Sequence, residues 1–306
     1  MKPLLSLVSG IWGRRIVIGL PFLWLALFFL LPFLVTLKIA FSTSIVGIPP
    51  IGPILKMTED GALQLTLHLE NWSYLFQDPS YVLAYGRSLL TAAITTILCL
   101  LIGYPMAYRI ARASPRARPL LLMLVIMPFW TSFLIRVYAW IGILKDNGLI
   151  NDVLLWTGII HQPLQMMNTQ FAVFLVMAYA YLPFMLLPLY TTLEKLDLSL
   201  LEAASDLGGR PFISFLTVTL PLSLPGIVAG SLLVFIPAVG EFLIPTMVGS
   251  PGHQMIASVV FDEFFSNRDW PTASAVATAV VLFLLLPIVL LVWLRQRNEA
   301  KLLAAS

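Results

Sequence analysis

The chain is 306 residues long, 59% hydrophobic and only 11% charged, with a mean hydropathy of +0.92, where soluble domains carry roughly 25% charged residues. This composition excludes a water-soluble globular fold and points to an integral membrane protein. The net charge of +3 does not make a nucleic-acid surface, because the basic residues flank apolar runs instead of forming one patch interleaved with aromatics.

Residues 1–15 form a short N-terminal segment ending in Arg14 and Arg15, and an apolar run follows from 16 to about 37. That run is too long for a signal-peptide core and lacks a small-residue cleavage site, so it predicts a retained span. Further stretches near the ~20 residues that cross a bilayer lie at about 88–108, 119–140, 170–190, 224–248 and 273–294, leaving 295–306 as a tail. The runs are continuously apolar, whereas barrel strands alternate in shorter pieces, so the expectation is an all-α membrane protein of six transmembrane helices. The single cysteine, Cys99, lies inside an apolar run, which excludes an internal disulfide and reads as packing.

Between the first two runs, residues 39–86 carry "PPIGP" with Glu59, Asp60, Glu70 and Asp78. This Pro/Gly-rich loop predicts a cap over the outer face and no further span. After the third run, "GLINDVLLWTGII" (Gly148–Ile160) is too short to cross and predicts a helix lying at the membrane interface. With the N-terminus cytoplasmic, twelve of the 18 Lys and Arg fall on the inside and six on or near the outside. The positive-inside rule then puts both termini in the cytoplasm. The strongest anchor is "RIARASPRAR", Arg109 to Arg118, read as topology and lipid headgroup contact.

Between the fourth and fifth runs stands "SLLEAASDLGGRPFISFLTVTLP", Ser199 to Pro221. Ser199 and Glu202 have the spacing of a capping box that opens a helix. Gly208 or Gly209 closes it in the left-handed conformation, and Pro211 suits the first turn of a second helix. Leu200, Ala203, Ala204 and Leu207 share one face, whose two alanines permit close approach by another surface. Glu202 and Asp206 form a mildly unfavourable like-charge pair beside it, which a basic partner would relieve. A connector packed under the bundle fits the same composition.

Charged groups inside a membrane are costly and face a cavity or a partner. Glu241 and Arg136 each stand 17 residues in from the cytoplasmic end of their runs, or ~26 Å at 1.5 Å per residue. Equal depth allows an Arg136–Glu241 ion pair. Glu241 also follows Gly240 and lies between Pro237 and Pro245, which predicts a broken helix beside a carboxylate. Such a break suits a cation pathway, with Trp130, Tyr138, Phe235 and Phe242 as candidate cation-π faces, and equally a carboxylate held permanently by Arg136. Packing or interfacial anchoring accounts for the same aromatics. The outer segment "DEFFSNRDWP" sets Asp262, Glu263 and Asp269 against Arg268, a bias that would guide a polycation.

Glu202, Ala203, Ala204, Gly208, Leu220 and Pro221 fall at the spacing of the cytoplasmic signature of binding-protein-dependent ABC importer permeases, which this chain resembles from about residue 15 to 297. Val218 replaces the usual isoleucine, and Gly209 is an extra glycine in the turn. The stretches "LLIGYPMAY" (Leu100–Tyr108), "PFWTSFLIRVYAWIGILKDNGLIN" (Pro128–Asn151), "FIPAVGEFLIP" (Phe235–Pro245) and "FFSNRDWPTASAVA" (Phe264–Ala277) resemble the polyamine branch of that family. The resemblance implies the type I ABC importer permease fold in a bacterial inner membrane, with putrescine or a related polyamine as substrate. It implies a coupling helix carrying Glu202, Ala203, Ala204, Asp206 and Gly208 that docks on an ATPase. It further implies a second homologous permease chain, an ATPase dimer that holds ATP and Mg, and a periplasmic polyamine-binding protein.

None of the six lysines follows a glycine, so a phosphate loop is excluded and ATP hydrolysis is expected in a partner subunit. His68, His161 and His253 have no metal spacing, and no cofactor is expected in this chain. The alternative is a secondary transporter of an organic cation in which Glu241 carries a coupling proton, although the inverted repeats that would support it are not evident. A membrane enzyme is the remaining reading, and no nucleophile, base and oxyanion group converge at readable spacing.

Overall fold

A computed structural model of the protein describes residues 11–57 and 63–305; Lys2, Glu59 and Asp60, named above, lie outside the described residues. The chain divides into two compact units, one made of the residues up to Tyr81 with those from Val259, the other of Val82–Ser258.

The first unit opens with α1 (Ile11–Leu25), a π turn (Ala26–Leu30) and α2 (Leu31–Ala40). Side chains such as Ile16, Phe22 and Trp24 are exposed around the whole circumference, as expected of a helix whose solvent is lipid. Beyond it, a two-stranded antiparallel ribbon pairs β1 (Leu55–Met57) with β2 (Leu63–Leu65), Leu55 opposite Leu65. The short helix α3 (Glu70–Gln77) follows, and its Asn71 amide donates to Ala40 O at 3.0 Å and Ser42 O at 2.8 Å, tying the loop to the end of α2. The loop thus holds no further span, but it contains strand that the Pro/Gly reading did not anticipate. The last helix, α14 (Trp270–Ala305), packs against α2 and α3.

Helix α4 (Pro79–Ala111) runs through the boundary between the units. Asp78 caps it by accepting the Ser80 amide at 2.8 Å, with Pro79 preset for the first turn, and this bond holds the Asp78 carboxyl below its usual range. The second unit continues with α5 (Ala117–Ile126), a 3-10 turn (Met127–Trp130), α6 (Phe133–Leu144) and α7 (Leu149–Trp156). Then come α8 (Gln170–Glu194), α9 (Ser199–Asp206), α10 (Pro211–Ser214), a π turn (Phe215–Thr219), α11 (Leu220–Val239), α12 (Leu243–Val248) and α13 (Ile256–Phe261).

The core of this unit is α8, which buries Val176, Met177, Met185, Leu186 and Leu189. Its neighbours approach closely because they present small residues. A Cβ on Gly226 of α11 would stand 2.9 Å from Pro188 O, and one on Gly230 would stand 3.0 Å from Met185 O. On the α4 side, Gly103 faces Met185 and Leu182, and the buried Cys99 thiol donates to Ala178 O at 3.5 Å.

Among the described residues, four helices are long and apolar enough to cross a membrane: Arg15–Ala40, Pro79–Ala111, Gln170–Glu194 and Pro211–Val239. The predicted third span is instead a broken pair, Ala117–Trp130 and Phe133–Trp156, bent by 91°. The cause is local: Thr131 and Ser132 are extended, with ψ of 153° and 140°, which interrupts the helical hydrogen-bond ladder just after Pro128. The sixth run appears as Trp270–Leu286, a shorter apolar stretch within α14.

Candidate functional site: a helical knob and a broken span

The stretch that carries the permease signature folds as helix, tight turn, helix. Helix α9 is entered differently from the predicted capping box. Asp197 Oδ1 accepts the Ser199 amide at 3.0 Å, so Ser199 is already the first helical residue and Leu198 the cap position, without a side-chain cap bond. The exit is as predicted. Gly208 has φ +81°, its amide donates to Ser205 O at 2.8 Å, and the Gly209 amide reaches Ala204 O at 2.9 Å. That pair of bonds is a Schellman closure, which satisfies two terminal carbonyls of the helix. Gly209 has a steric reason of its own, since a Cβ there would meet Ala204 O at 2.6 Å. Arg210 is the cap position of α10 and Pro211 stands in its first turn.

The knob is open to its surroundings. Glu202, Ala203 and Asp206 are exposed, Ala204 is half-buried, Leu207 is 90% exposed, and Phe212 is 71% exposed on the following helix. An apolar side chain left this bare is uncommon on a finished surface. Behind the knob, the helical path from Pro211 to Val239 is continuous, 29 residues in all, or about 44 Å at 1.5 Å per residue. It is braced on α4 by Phe215, set edge-on to Tyr104 at 5.6 Å, and by the bond between Tyr104 Oη and Ser223 Oγ at 2.9 Å. A further tie at this end is the Arg118–Glu194 ion pair at 3.2 Å.

At the far end the helix breaks where the proline and glycine pattern placed it. Helix α11 stops at Val239, Gly240 to Phe242 are non-helical, and α12 begins at Leu243. Glu241, only 8% exposed, holds the break together. Its Oε1 accepts the Leu243 amide at 2.9 Å and the Ile244 amide at 3.2 Å, while Oε2 accepts from Tyr181 Oη at 2.5 Å. Both oxygens therefore have donors within the unit.

The Arg136–Glu241 ion pair does not form. Arg136 stacks on Phe129, its guanidinium carbon 4.3 Å from the ring centroid, and lies 5.6 Å from the Phe133 ring. Its Nε and Nη1 are buried without an acceptor among the described residues. Equal depth was counted along a straight helix, and the 91° bend at Thr131–Ser132 removes that equality, because rise no longer accumulates in one direction. Of the candidate aromatics, Trp130 and Tyr138 are 74% and 62% exposed, whereas Phe235 and Phe242 are half-buried. The structure gathers none of the four around the Glu241 carboxylate, whose bonded side chain is Tyr181.

In the first unit the acidic outer segment is also internally bonded. Glu263 accepts from Tyr81 Oη at 2.6 Å and from the Asn267 amide at 2.9 Å, and Asp269 accepts from Thr272 Oγ1 at 2.8 Å. Among the described residues no three of His, Cys, Asp and Glu come together as metal ligands.

Tyr181 and the glycine pair Gly226 and Gly230 are functional positions that the sequence reading did not single out. The glycines carried a signal in their four-residue spacing, whereas Tyr181 is 60 positions from Glu241 and nothing local announces it.

Three comparisons bear on this geometry. Residues 99–303 match the family described as "Binding-protein-dependent transport system inner membrane component". The chain is 40% identical over 275 residues to the spermidine/putrescine transport system permease protein PotB of Haemophilus influenzae, covering 89% of this chain and 91% of that one. It is 39% identical over 274 residues to PotB of Escherichia coli K12, covering 89% and 93%. The finer likeness drawn from the quoted stretches, to the putrescine permease PotH, is not supported; PotB chains are the relatives matched.

In fold, the chain matches a crystal structure of a bacterial ABC transporter involved in the import of the acidic polysaccharide alginate. The TM-score is 0.66 at 16% identity, over 96% of this chain and 99% of that chain. The alginate transporter in complex with its pentasaccharide-bound periplasmic protein matches with a TM-score of 0.64 at 17% identity, over 92% and 95%. With two thirds of its length inside the family match and a relative at 40% identity along nearly all of it, the chain belongs to the inner-membrane permease components of binding-protein-dependent transport systems.

Proposed function

We propose that this chain is the transmembrane subunit of an ATP-driven importer for spermidine, putrescine or a related polyamine, and that α9 is the point at which a separate ATPase acts on it. The observation that carries the reading is the 40% identity, along 89% of the chain, to a spermidine/putrescine permease. The exposed knob supports the coupling role: two carboxylates and bare leucines on a rigidly closed helix offer both charge and apolar surface to a partner. Both termini and the knob then lie in the cytoplasm, in keeping with the positive-inside count.

Closure of an ATPase dimer around bound ATP and Mg would pull the knobs of two homologous permease chains together. The continuous helix from Pro211 to Val239 carries that displacement toward the break at Gly240–Phe242, where the backbone changes direction. Access to a pathway between the two chains would alternate in this way, open outward to take polyamine from a periplasmic binding protein and inward when the dimer reopens. Exposed Trp130 and Tyr138 are the aromatic faces available to line such a pathway from this chain.

Uptake of radiolabelled putrescine and of spermidine in a deletion strain, restored by this chain together with its partner subunits, tests the reading. Restored uptake that is lost with Glu202→Lys is the expected result. Uptake by this chain alone, or uptake that survives ATP depletion and collapses with an uncoupler, would overturn it.

A further inference from the structure

In the second unit a cavity of about 690 Å³ opens between the end of α4, the length of α5 with its 3-10 turn, and the middle of α8. Its walls are almost wholly apolar, with Ile110, Leu124, Phe129 and Leu182 among them, while Arg109 and Arg112 stand at one end. From Leu121 to Phe129 it follows eight residues of helix, or about 12 Å at 1.5 Å per residue, close to half the ~30 Å thickness of a bilayer's hydrocarbon core.

The charged end is unfinished. Arg112 packs its guanidinium carbon 5.3 Å from the Tyr108 ring centroid, yet its Nε and Nη2 are buried with no acceptor among the described residues. In the same basic loop Arg118 already has Glu194 at 3.2 Å, whereas no carboxylate among the described residues pairs with Arg112 or Arg109. Buried guanidinium N–H groups without acceptors are costly, and a planar fork of this kind suits a phosphate. Two guanidiniums would repel a polycation, which sets this cavity apart from a polyamine pathway.

We propose that the cavity binds one anionic phospholipid, its phosphate on Arg112 and Arg109 and an acyl chain along α5. Charge complementarity at one end, apolar lining along the rest and a length matched to one leaflet all select an amphipathic anion. A free phosphate would leave the apolar part unfilled, and an uncharged lipid would leave the guanidinium unmatched. The α4, α5 and α8 helices would then be held together by lipid at the end of the bundle nearest the coupling knob.

The test is native mass spectrometry of the purified complete transporter, titrated with phosphatidylglycerol, with phosphatidylethanolamine and with inorganic phosphate. The expected result is one tightly retained phosphatidylglycerol per copy of this chain, preferred over phosphatidylethanolamine and not displaced by millimolar phosphate. That preference should fall by about fivefold for each arginine removed in Arg112→Gln and Arg109→Gln, as for basic residues beside anionic membranes. Leu124→Trp, which fills the apolar part and leaves both arginines in place, should abolish retention while the complex stays assembled. Equal retention of the two lipids, unchanged retention in the arginine variants, or binding of phosphate alone would each overturn the inference. So would loss of assembly with Leu124→Trp at unchanged lipid content, because protein would then be what covers the cavity.

Discussion

Tyr181 Oη donates to Glu241 Oε2 at 2.5 Å, joining the middle of α8 to the break after α11. The other carboxylate oxygen takes the first two amides of α12, so one acidic side chain both caps a helix and anchors it to the core of the unit. Tyr181→Phe keeps the ring and removes the donor. Leaving a buried charged acceptor one bond short costs about 1–3 kcal/mol, so the purified complex should melt earlier. Glu241→Gln should lower the melting point as well, since an amide oxygen accepts the α12 amides less strongly. A carboxylate whose only task was to meet substrate would behave differently: Glu241→Gln would raise KM and leave the melting temperature alone.

The glycines of α11 make a second test, on packing. A methyl at Gly226 would stand 2.9 Å from Pro188 O and 2.6 Å from Thr192 Oγ1, and the first of these is backbone that cannot turn aside. Gly226→Ala should therefore cost about 1–3 kcal/mol, the usual penalty of overpacking, even though alanine is the better helix former. Gly142→Ala is the control, because nothing lies within 4 Å of a Cβ there. Thermal unfolding of the two variants side by side separates a close approach from simple helix propensity.

What could be read from the chain alone was what is decided locally. The turn at Gly208 and Gly209 and the start at Pro211 follow from backbone preference within four residues, and the break at Gly240 follows from flanking prolines and a glycine. The helix entrance was misread although its cause was also local: Asp197, two residues before Ser199, competes for the amide that a capping box would have used and shifts the helix start. The bend at Thr131–Ser132 was signalled only by Pro128, and a count of residues along a straight helix passed over it. Tyr181 was out of reach for a different reason. Apolar periodicity shows that α8 is buried, but in a helix apolar on nearly every side it does not show which face meets α11.

The knob makes a prediction in which stability and function separate. Glu202 and Ala203 are exposed, and substitutions at such sites usually change stability by no more than about 0.5 kcal/mol. Glu202→Lys and Ala203→Trp should therefore leave the inserted permease and its melting behaviour intact. Each should lower polyamine uptake by about tenfold or more, as follows from losing roughly 1.4 kcal/mol of docking energy. The ATPase recovered with the affinity-purified permease should fall in step. Gly208→Val acts by another route. At φ +81° a β-branched side chain is strained, and the turn should open at a cost of about 1–2 kcal/mol, uncoupling the knob by deforming it.

Arg136 and Glu241 share no hydrogen-bond partner: one stacks on Phe129, the other is bound by Tyr181 and two amides. Arg136→Gln, Glu241→Gln and the double variant therefore form a cycle whose stability changes should add to within about 0.3–0.5 kcal/mol. An ion pair would show itself as a double variant clearly milder than the sum, because the second substitution would remove a charge already left unpaired by the first. Arg136→Lys sharpens the distinction. A lysine keeps the charge and would sustain a salt bridge, but it lacks the flat guanidinium that lies over Phe129. Destabilisation by Arg136→Lys comparable to that by Arg136→Gln, unaffected by the residue at 241, is the result that stacking requires.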